Sequence, residues 1–482
     1  MPRNDKIPGE NRSLKLAARV TPLVILALLV MAIVFFKERM LYIDAPHMLF
    51  RIINDGNLHI EEHRYGSFIS QFFPWLGVRL HLPLKGLMIA YSAGFYLFYL
   101  AVGLLLVYQY RNYGLAILLG LYLTLFVSDT FYWPNNEVHQ GIAWLLLAFA
   151  VCWSATVRNW HLLVRLSLFS GLFFLAIWTH PLVMLAAIYL WFFNVIGNDD
   201  LPFTKMQVIL FSIVLTALSF IKFYQGMHHG YDSSKIEILT SFDIHRLKNI
   251  FSSPQFHFFI KGCITRYLLF SGLFLAGLTV LLADKKYLLF AWTVLFAGGY
   301  LFLMCVTYWD FTLRSFMESE YMPLVIICSA PFVYYVLPKM KPKPALAILV
   351  LVYLFRLIFI IMAAPPFTAR IVLMDKMNEK MKQKNLTKVI ITTPLPPGID
   401  STLIYNWGAP VESIFLSALK GEQPQRTFIF LDSTTIKVFC TASKDTLLES
   451  SEKQAIVNIN SRYTAIDTSS AYKVMTYPDL ME

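Results

Sequence analysis

The densest group of acid–base side chains in the chain lies between residues 42 and 64. Tyr42-Ile-Asp-Ala-Pro-His-Met-Leu is followed by Asn54-Asp-Gly-Asn and then by Glu61-Glu-His-Arg. Asp44 comes a few residues after the first long apolar run, so its carboxylate is held near a membrane surface. A carboxylate placed there can take the proton of an acceptor hydroxyl as a general base. The same residue, close to Pro46, also suits the cap of a helix that starts in this loop. Asp55 sits in a run with turn chemistry. Glu61, Glu62 and His63 form a polar cluster able to orient a substrate or hold a divalent ion. Their spacing matches no standard metal signature, and a solvated face is the plainer account.

Further groups recur along the chain. Ser128-Asp-Thr-Phe-Tyr-Trp-Pro-Asn-Asn-Glu-Val-His-Gln sets three aromatics beside Asp129, Glu137 and His139. Aromatic faces among carboxylates and amides suit a sugar ring; an interfacial aromatic belt is the alternative. Charges inside apolar runs are costly, so Lys222, Arg266 and Arg356 are functional candidates, and His180 falls at the same level. Arg356, in Leu351-Val-Tyr-Leu-Phe-Arg-Leu-Ile-Phe-Ile, has no polar neighbour in sequence. A phosphate group would satisfy such cations, arginine through two hydrogen bonds; ion pairs with other helices would do the same. Arg314, Glu318 and Glu320 fall near helical spacing, so Arg314 either pairs internally or faces a phosphate.

These residues have to be positioned by apolar elements. The 482 residues are 57% hydrophobic and only 15% charged, where soluble domains are nearer a quarter charged. A large soluble core and a nucleic-acid partner are both poor readings. A span needs about 20 apolar residues. Spans are expected near 20–36, 86–108, 113–128, 140–157, 162–179, 181–196, 206–224, 263–282, 286–306, 321–337 and 345–363, about eleven in all. Phe35-Phe-Lys-Glu is a poor cleavage site, so the first run reads as a retained span. Lys and Arg gather in alternate short loops, which places residues 1–19 in the cytoplasm. An odd span count then leaves three segments outside: the first loop (37–85), a long loop (225–262) and the C-terminus. The apolar segment 68–78 is too short to cross and is expected to lie flat at the interface.

Pro365-Pro366 ends the membrane region 20–364. Beyond it, a helix over 369–384, strands at Lys388-Val-Ile-Ile-Thr-Thr and Thr427-Phe-Ile-Phe-Leu-Asp, and a helix over Val411–Leu419 predict a small α/β domain across 365–482. Lys437-Val-Phe-Cys and Ala455-Ile-Val-Asn-Ile continue the series as strands. The expected fold is thus an α-helical polytopic membrane protein with a small C-terminal extracytoplasmic α/β domain. Four cysteines fall in apolar runs and only Cys440 in the polar tail, so neither a disulfide nor a metal spacing is available there.

With these residues in view, the chain resembles the polytopic glycosyltransferases of the GT-C type. The resemblance rests on architecture and on four features: Asp44 in a long first loop, the aromatic and acidic second loop with Asp129 and Glu137, His180-Pro181 at a helix junction, and Glu318-Ser-Glu-Tyr-Met-Pro opening a late span. Glu320 stands where that group commonly has Arg before Tyr321, and Asp-Ala-Pro stands in place of an adjacent acidic pair. The resemblance implies transfer of a sugar from a polyprenyl-phosphate or -diphosphate carrier, with inversion, outside the cytoplasmic membrane. Asp44 would be the general base. Asp129, Glu137, His139, His180, Lys222, Arg314, Glu320, Tyr321 and Arg356 would contact substrate. A divalent metal is used by some relatives and not by others. The acceptor is left open among glycan, lipid and protein.

Other classes fit less well. A transporter or flippase usually carries inverted repeats and helices broken at the midplane, and no repeat is visible. An envelope-glycan polymerase or ligase of the O-antigen type has a similar polar outer loop. A non-catalytic scaffold would need only the outer domain.

Overall fold

The computed structural model describes residues 11–135, 137–197, 204–228, 230–240, 248–310, 312–403, 406–439, 444–449 and 453–482. Most of it is helix. Among the described residues, seven helices are long and apolar enough to cross a membrane: Arg12–Val34, Leu84–Gln109, Leu162–Thr179, Lys205–His228, Tyr287–Thr307, Arg314–Lys339 and Pro342–Gln383. The pair Pro254–Ile264 and Leu268–Ala283 passes the same test but bends by 84° at its break. Tyr113–Tyr122, Glu137–Trp153 and Val183–Gly197 are shorter apolar helices.

Burial separates these helices into two kinds. Every residue from Val138 to Cys152 is buried, as expected for a helix apolar on all sides. Lys205–His228 instead turns Met206, Ile209, Ile213 and Phe220 outward, an apolar face suited to lipid. Phe68–Arg79 is a single helix laid against Leu84–Leu104. The two approach closely because Gly94 has no side chain; a Cβ there would meet the ring of Phe73 at 2.5 Å. The expected outer loop 225–262 is largely helical where described, with helices Gly230–Thr240 and Pro254–Ile264.

The helix Pro342–Met362 stops, and a new one, Pro365–Gln383, begins after Ala363-Ala364. Both prolines fall in its first turn, where no backbone donor is needed. Five strands follow: β1 (Lys388–Thr392), β2 (Thr427–Leu431), β3 (Thr446–Leu448), β4 (Lys453–Ala455) and β5 (Lys473–Met475). A parallel three-stranded sheet runs β2-β1-β5, with Ile390 opposite Ile429 on one side and Val474 on the other. β3 and β4 form a separate antiparallel pair. All of β2 is buried, as the near-continuous apolar runs of a parallel sheet require.

Two strand expectations are corrected. Ser433–Phe439 is a helix, because the Asp432 carboxylate accepts the backbone N–H groups of Thr434 (2.9 Å) and Thr435 (2.7 Å) and caps it. Cys440 lies outside the described residues. In Ala455–Ile459 the strand ends at Ala455 and a 3-10 turn follows.

The small domain docks on the first polar loop. The Asn460 side chain donates to the Ile53 carbonyl (3.1 Å), and its backbone N–H to Asn54 Oδ1 (2.9 Å). Gly408 packs against Ile43 so closely that a Cβ would stand 3.0 Å from the Ile43 carbonyl and 2.7 Å from Glu412 Oε1.

Candidate functional site

The helix Asp44–Asp55 starts under constraint. Ile43, just before it, has φ 55°, a conformation that costs a β-branched residue dearly. Its N–H donates to Glu412 Oε1 at 3.0 Å. Glu412 is fully buried and gripped by Arg370, Nε to Oε2 at 3.0 Å and Nη2 to Oε1 at 2.9 Å. The C-terminal domain therefore fixes the backbone that presents Asp44. The cap position falls on Ile43, which has no side-chain cap hydrogen bond, and Asp44 is the first residue of the helix rather than its cap. Its Oδ2 accepts the Trp133 indole N–H at 2.6 Å. Burial pushes the Asp44 carboxyl up to about 6, and the negative charge of Glu137 adds to this; the Trp133 bond and His47 oppose it.

Asp44 lines a cavity of about 490 Å³. Its acidic residues are Asp44, Glu61, Glu137 and Glu320, and its cationic or imidazole residues are Arg64, Lys222, Lys235 and His180. Arg64 Nη1 donates to Glu137 Oε2 at 2.8 Å. Glu320 is buried, and its Oε2 has no hydrogen-bond partner among the described residues. His180 sits where the helix Leu162–Thr179 ends, before Pro181 restarts the chain; its Nδ1 accepts the Leu182 N–H at 3.3 Å. The rest of the wall is apolar: Met184 and Leu185 from one helix, Phe223 from the next, Leu303 and Met304 from a third. The cavity thus has a charged end against the polar loops and a greasy side among apolar helices.

A second polar cluster lies outside this cavity. Arg314 Nε donates to Asp129 Oδ2 at 2.6 Å, with Arg266 Nη1 3.8 Å from Oδ1. Glu318, wholly buried, accepts the N–H groups of Ser128 and Thr130, both at 2.8 Å, the Thr130 hydroxyl at 3.0 Å and the Tyr267 hydroxyl. Arg356 donates from Nε to the Thr124 carbonyl (3.0 Å), from Nη1 to the Arg266 carbonyl (2.7 Å), and from Nη2 to the Val127 carbonyl (2.7 Å) and Ser128 Oγ (3.0 Å). Together they hold the segment 124–130, and so aim Trp133 at Asp44.

Of the ten residues expected to act on substrate, Asp44, Glu137, His180, Lys222 and Glu320 meet at the cavity. The other five do not line it. Arg356 is occupied by four protein acceptors. Arg314 pairs with Asp129 rather than with Glu318, so neither member of that pair faces the cavity. His139 is buried in the core, 3.2 Å from the Tyr122 hydroxyl. Tyr321 is fully buried, stacked on Phe259 with ring centroids 4.4 Å apart. Sequence could place these residues in a helix but not on a face of it.

The expected metal candidates also rearrange. Glu62 and His63 take positive φ at an exposed loop tip, and His63 Nδ1 lies 3.2 Å from the Tyr65 hydroxyl. Glu61 turns the other way, and with His47 and His59 it brings one ligand-type atom from each within 4.8 Å of the others. Lys235 and Trp133 join the cavity without a clear signal in sequence. Lys235 lies in the segment read as loop. Trp133 was visible only as one of three aromatics, and nothing in sequence paired its N–H with Asp44. No family model matches this chain, and neither a curated protein nor a solved structure matches it.

Proposed function

We propose that the chain is a membrane glycosyltransferase of the GT-C type, moving a sugar from a polyprenyl-phosphate or -diphosphate carrier to an acceptor hydroxyl. The observation that carries this reading is one cavity bounded by a carboxyl poised near 6, by cationic side chains and by an apolar wall on membrane-type helices. A greasy phosphorylated sugar needs all three. Asp44 takes the proton from the acceptor hydroxyl as its oxygen bonds to the anomeric carbon. The bond from that carbon to the phosphate oxygen breaks, and the phosphate leaves with the electron pair. Lys222, Lys235 and Arg64, rather than Arg314 and Arg356, stabilise the charge that develops there. Glu137 and His180 contact the sugar.

In this reading the bent pair and the three shorter apolar helices join the seven long ones as crossings, giving eleven. Residues 1–19 are then cytoplasmic, and the cavity and the 365–482 domain lie outside the cytoplasmic membrane. The 84° break beside Arg266 also suits a flippase; formation of a new glycosidic bond separates the two. The test is turnover of a panel of polyprenyl-phosphate and -diphosphate sugars by the protein in lipid nanodiscs. The donor should be consumed by the wild type, with Asp44→Asn still binding donor but not turning it over. Full turnover by Asp44→Asn, or a panel left untouched, removes the proposal.

A further inference from the structure

His47 comes from the helix Asp44–Asp55, and His59 and Glu61 from the loop after it. His59 Nε2 is 3.0 Å and His47 Nε2 is 3.9 Å from the same oxygen, Glu61 Oε1. Ligand bonds of about 2.0–2.2 Å at tetrahedral angles put ligand atoms about 3.3 Å apart. The two distances bracket that separation.

The far sides of both imidazoles supply an independent observation. His47 Nδ1 is 3.2 Å from Glu449 Oε2, and His59 Nδ1 is 3.8 Å from Asp55 Oδ2. A carboxylate on the Nδ1 side of an imidazole is how metal-bound histidines are held with Nε2 free to ligate, and the Glu449 contact to His47 is at hydrogen-bond distance. Glu449 comes from the C-terminal domain and is 6% exposed, and its Oε1 has no hydrogen-bond partner among the described residues. Arg51 Nη2 lies 3.7 Å from its other oxygen. The His59 backbone is clamped on both sides by the Gln71 amide, at 2.8 and 2.6 Å.

We propose that His47 Nε2, His59 Nε2 and Glu61 Oε1 bind one divalent cation of the zinc class, and that Glu449 and Asp55 orient the two imidazoles. Three protein ligands leave a coordination position for water or a substrate oxygen. Because Glu449 belongs to the domain after Pro365, the ion ties that domain to the first polar loop. This stands apart from the transfer reading, since metal uptake is read without any donor sugar.

The experiment uses the full chain in detergent, stripped with chelator, then titrated with zinc by calorimetry, with metal content measured after desalting. One zinc per chain is expected, with a rise in melting temperature. His47→Gln and His59→Gln should each weaken binding at least tenfold and abolish that rise. Glu449→Gln, which removes no ligand, should weaken it about 10- to 100-fold. His63→Gln, outside the cluster, should bind as the wild type does and shows that a histidine substitution in this loop is tolerated. A flat wild-type titration overturns the site, leaving histidine–carboxylate contacts only. So does an equal loss of affinity in His63→Gln. Unchanged binding in Glu449→Gln overturns the tie to the C-terminal domain.

Discussion

Two clusters of embedded charge lie side by side and differ in one respect. Around Glu318 and Arg356, the groups that carry the charge are met by protein: four donors on one carboxylate, four acceptors on one guanidinium. Around Asp44 and Glu320, the polar groups face a cavity, and one Glu320 oxygen has no partner among the described residues. Both sets are expensive to bury. The saturated set offsets that cost internally and serves as framework, while the cavity set keeps donors and acceptors facing a space where a ligand fits. What separates the two sets is what they face, protein in one and a cavity in the other, and not the charge they carry.

Asp44→Asn should lower turnover about 10²- to 10⁴-fold, the range for loss of a positioned base, measured on whichever donor the wild type consumes. Wild-type turnover should rise with pH through about 6, as the Asp44 carboxyl, raised by burial against the pull of the Trp133 bond, ionises. A profile flat from pH 5 to 8 would detach Asp44 from the chemistry.

Glu318→Ala should destabilise by about 3–5 kcal/mol, because it leaves buried donors without their acceptor. Thermal unfolding in detergent measures this. Glu320→Gln should cost far less stability and act on donor affinity instead. Equal melting losses in both would erase the distinction between framework and site. Lys222→Met should raise the donor KM about tenfold or more, the weight of a hydrogen bond to a charged group, with the fold retained.

Asp44 also makes a stability prediction with a definite sign. Its folded value of about 6 lies above the ordinary carboxylate value near 4. The folded state therefore holds the proton more tightly, and this contribution to stability is full at low pH and lost as pH rises through 6. Asparagine keeps an acceptor for Trp133 without the buried charge. Asp44→Asn should thus melt above wild type at pH 8, by up to about 3 kcal/mol, with the gap closing at pH 4. The smallest effect is expected from Gly408→Ala, whose methyl must push on Ile43 and Glu412. A few-fold fall in turnover without loss of the fold would confirm that the C-terminal domain sets the Asp44 backbone. An unchanged rate would sever that link.

Much of the fold was legible in the chain. Long apolar runs mark helices because the backbone can satisfy itself only within a helix when no water is present. The strands at Lys388 and Thr427 could be read for a related reason, since a buried parallel strand is a short continuous apolar run. Asp44, Glu137, His180, Lys222 and Glu320 were also within reach, because charge beside or inside an apolar run is conspicuous. The sequence could not tell Glu318 from Glu320, two residues apart on one helix, or His63 from His59. Those differences depend on which neighbours the fold turns toward each side chain. Trp133 meets Asp44, Glu449 stands behind His47, and Glu412 holds Ile43 only once the chain has folded. Periodicity and composition are local quantities and identify elements. Partnership is a property of three-dimensional distance, and it alone decides which buried charges are enclosed by protein and which face a cavity.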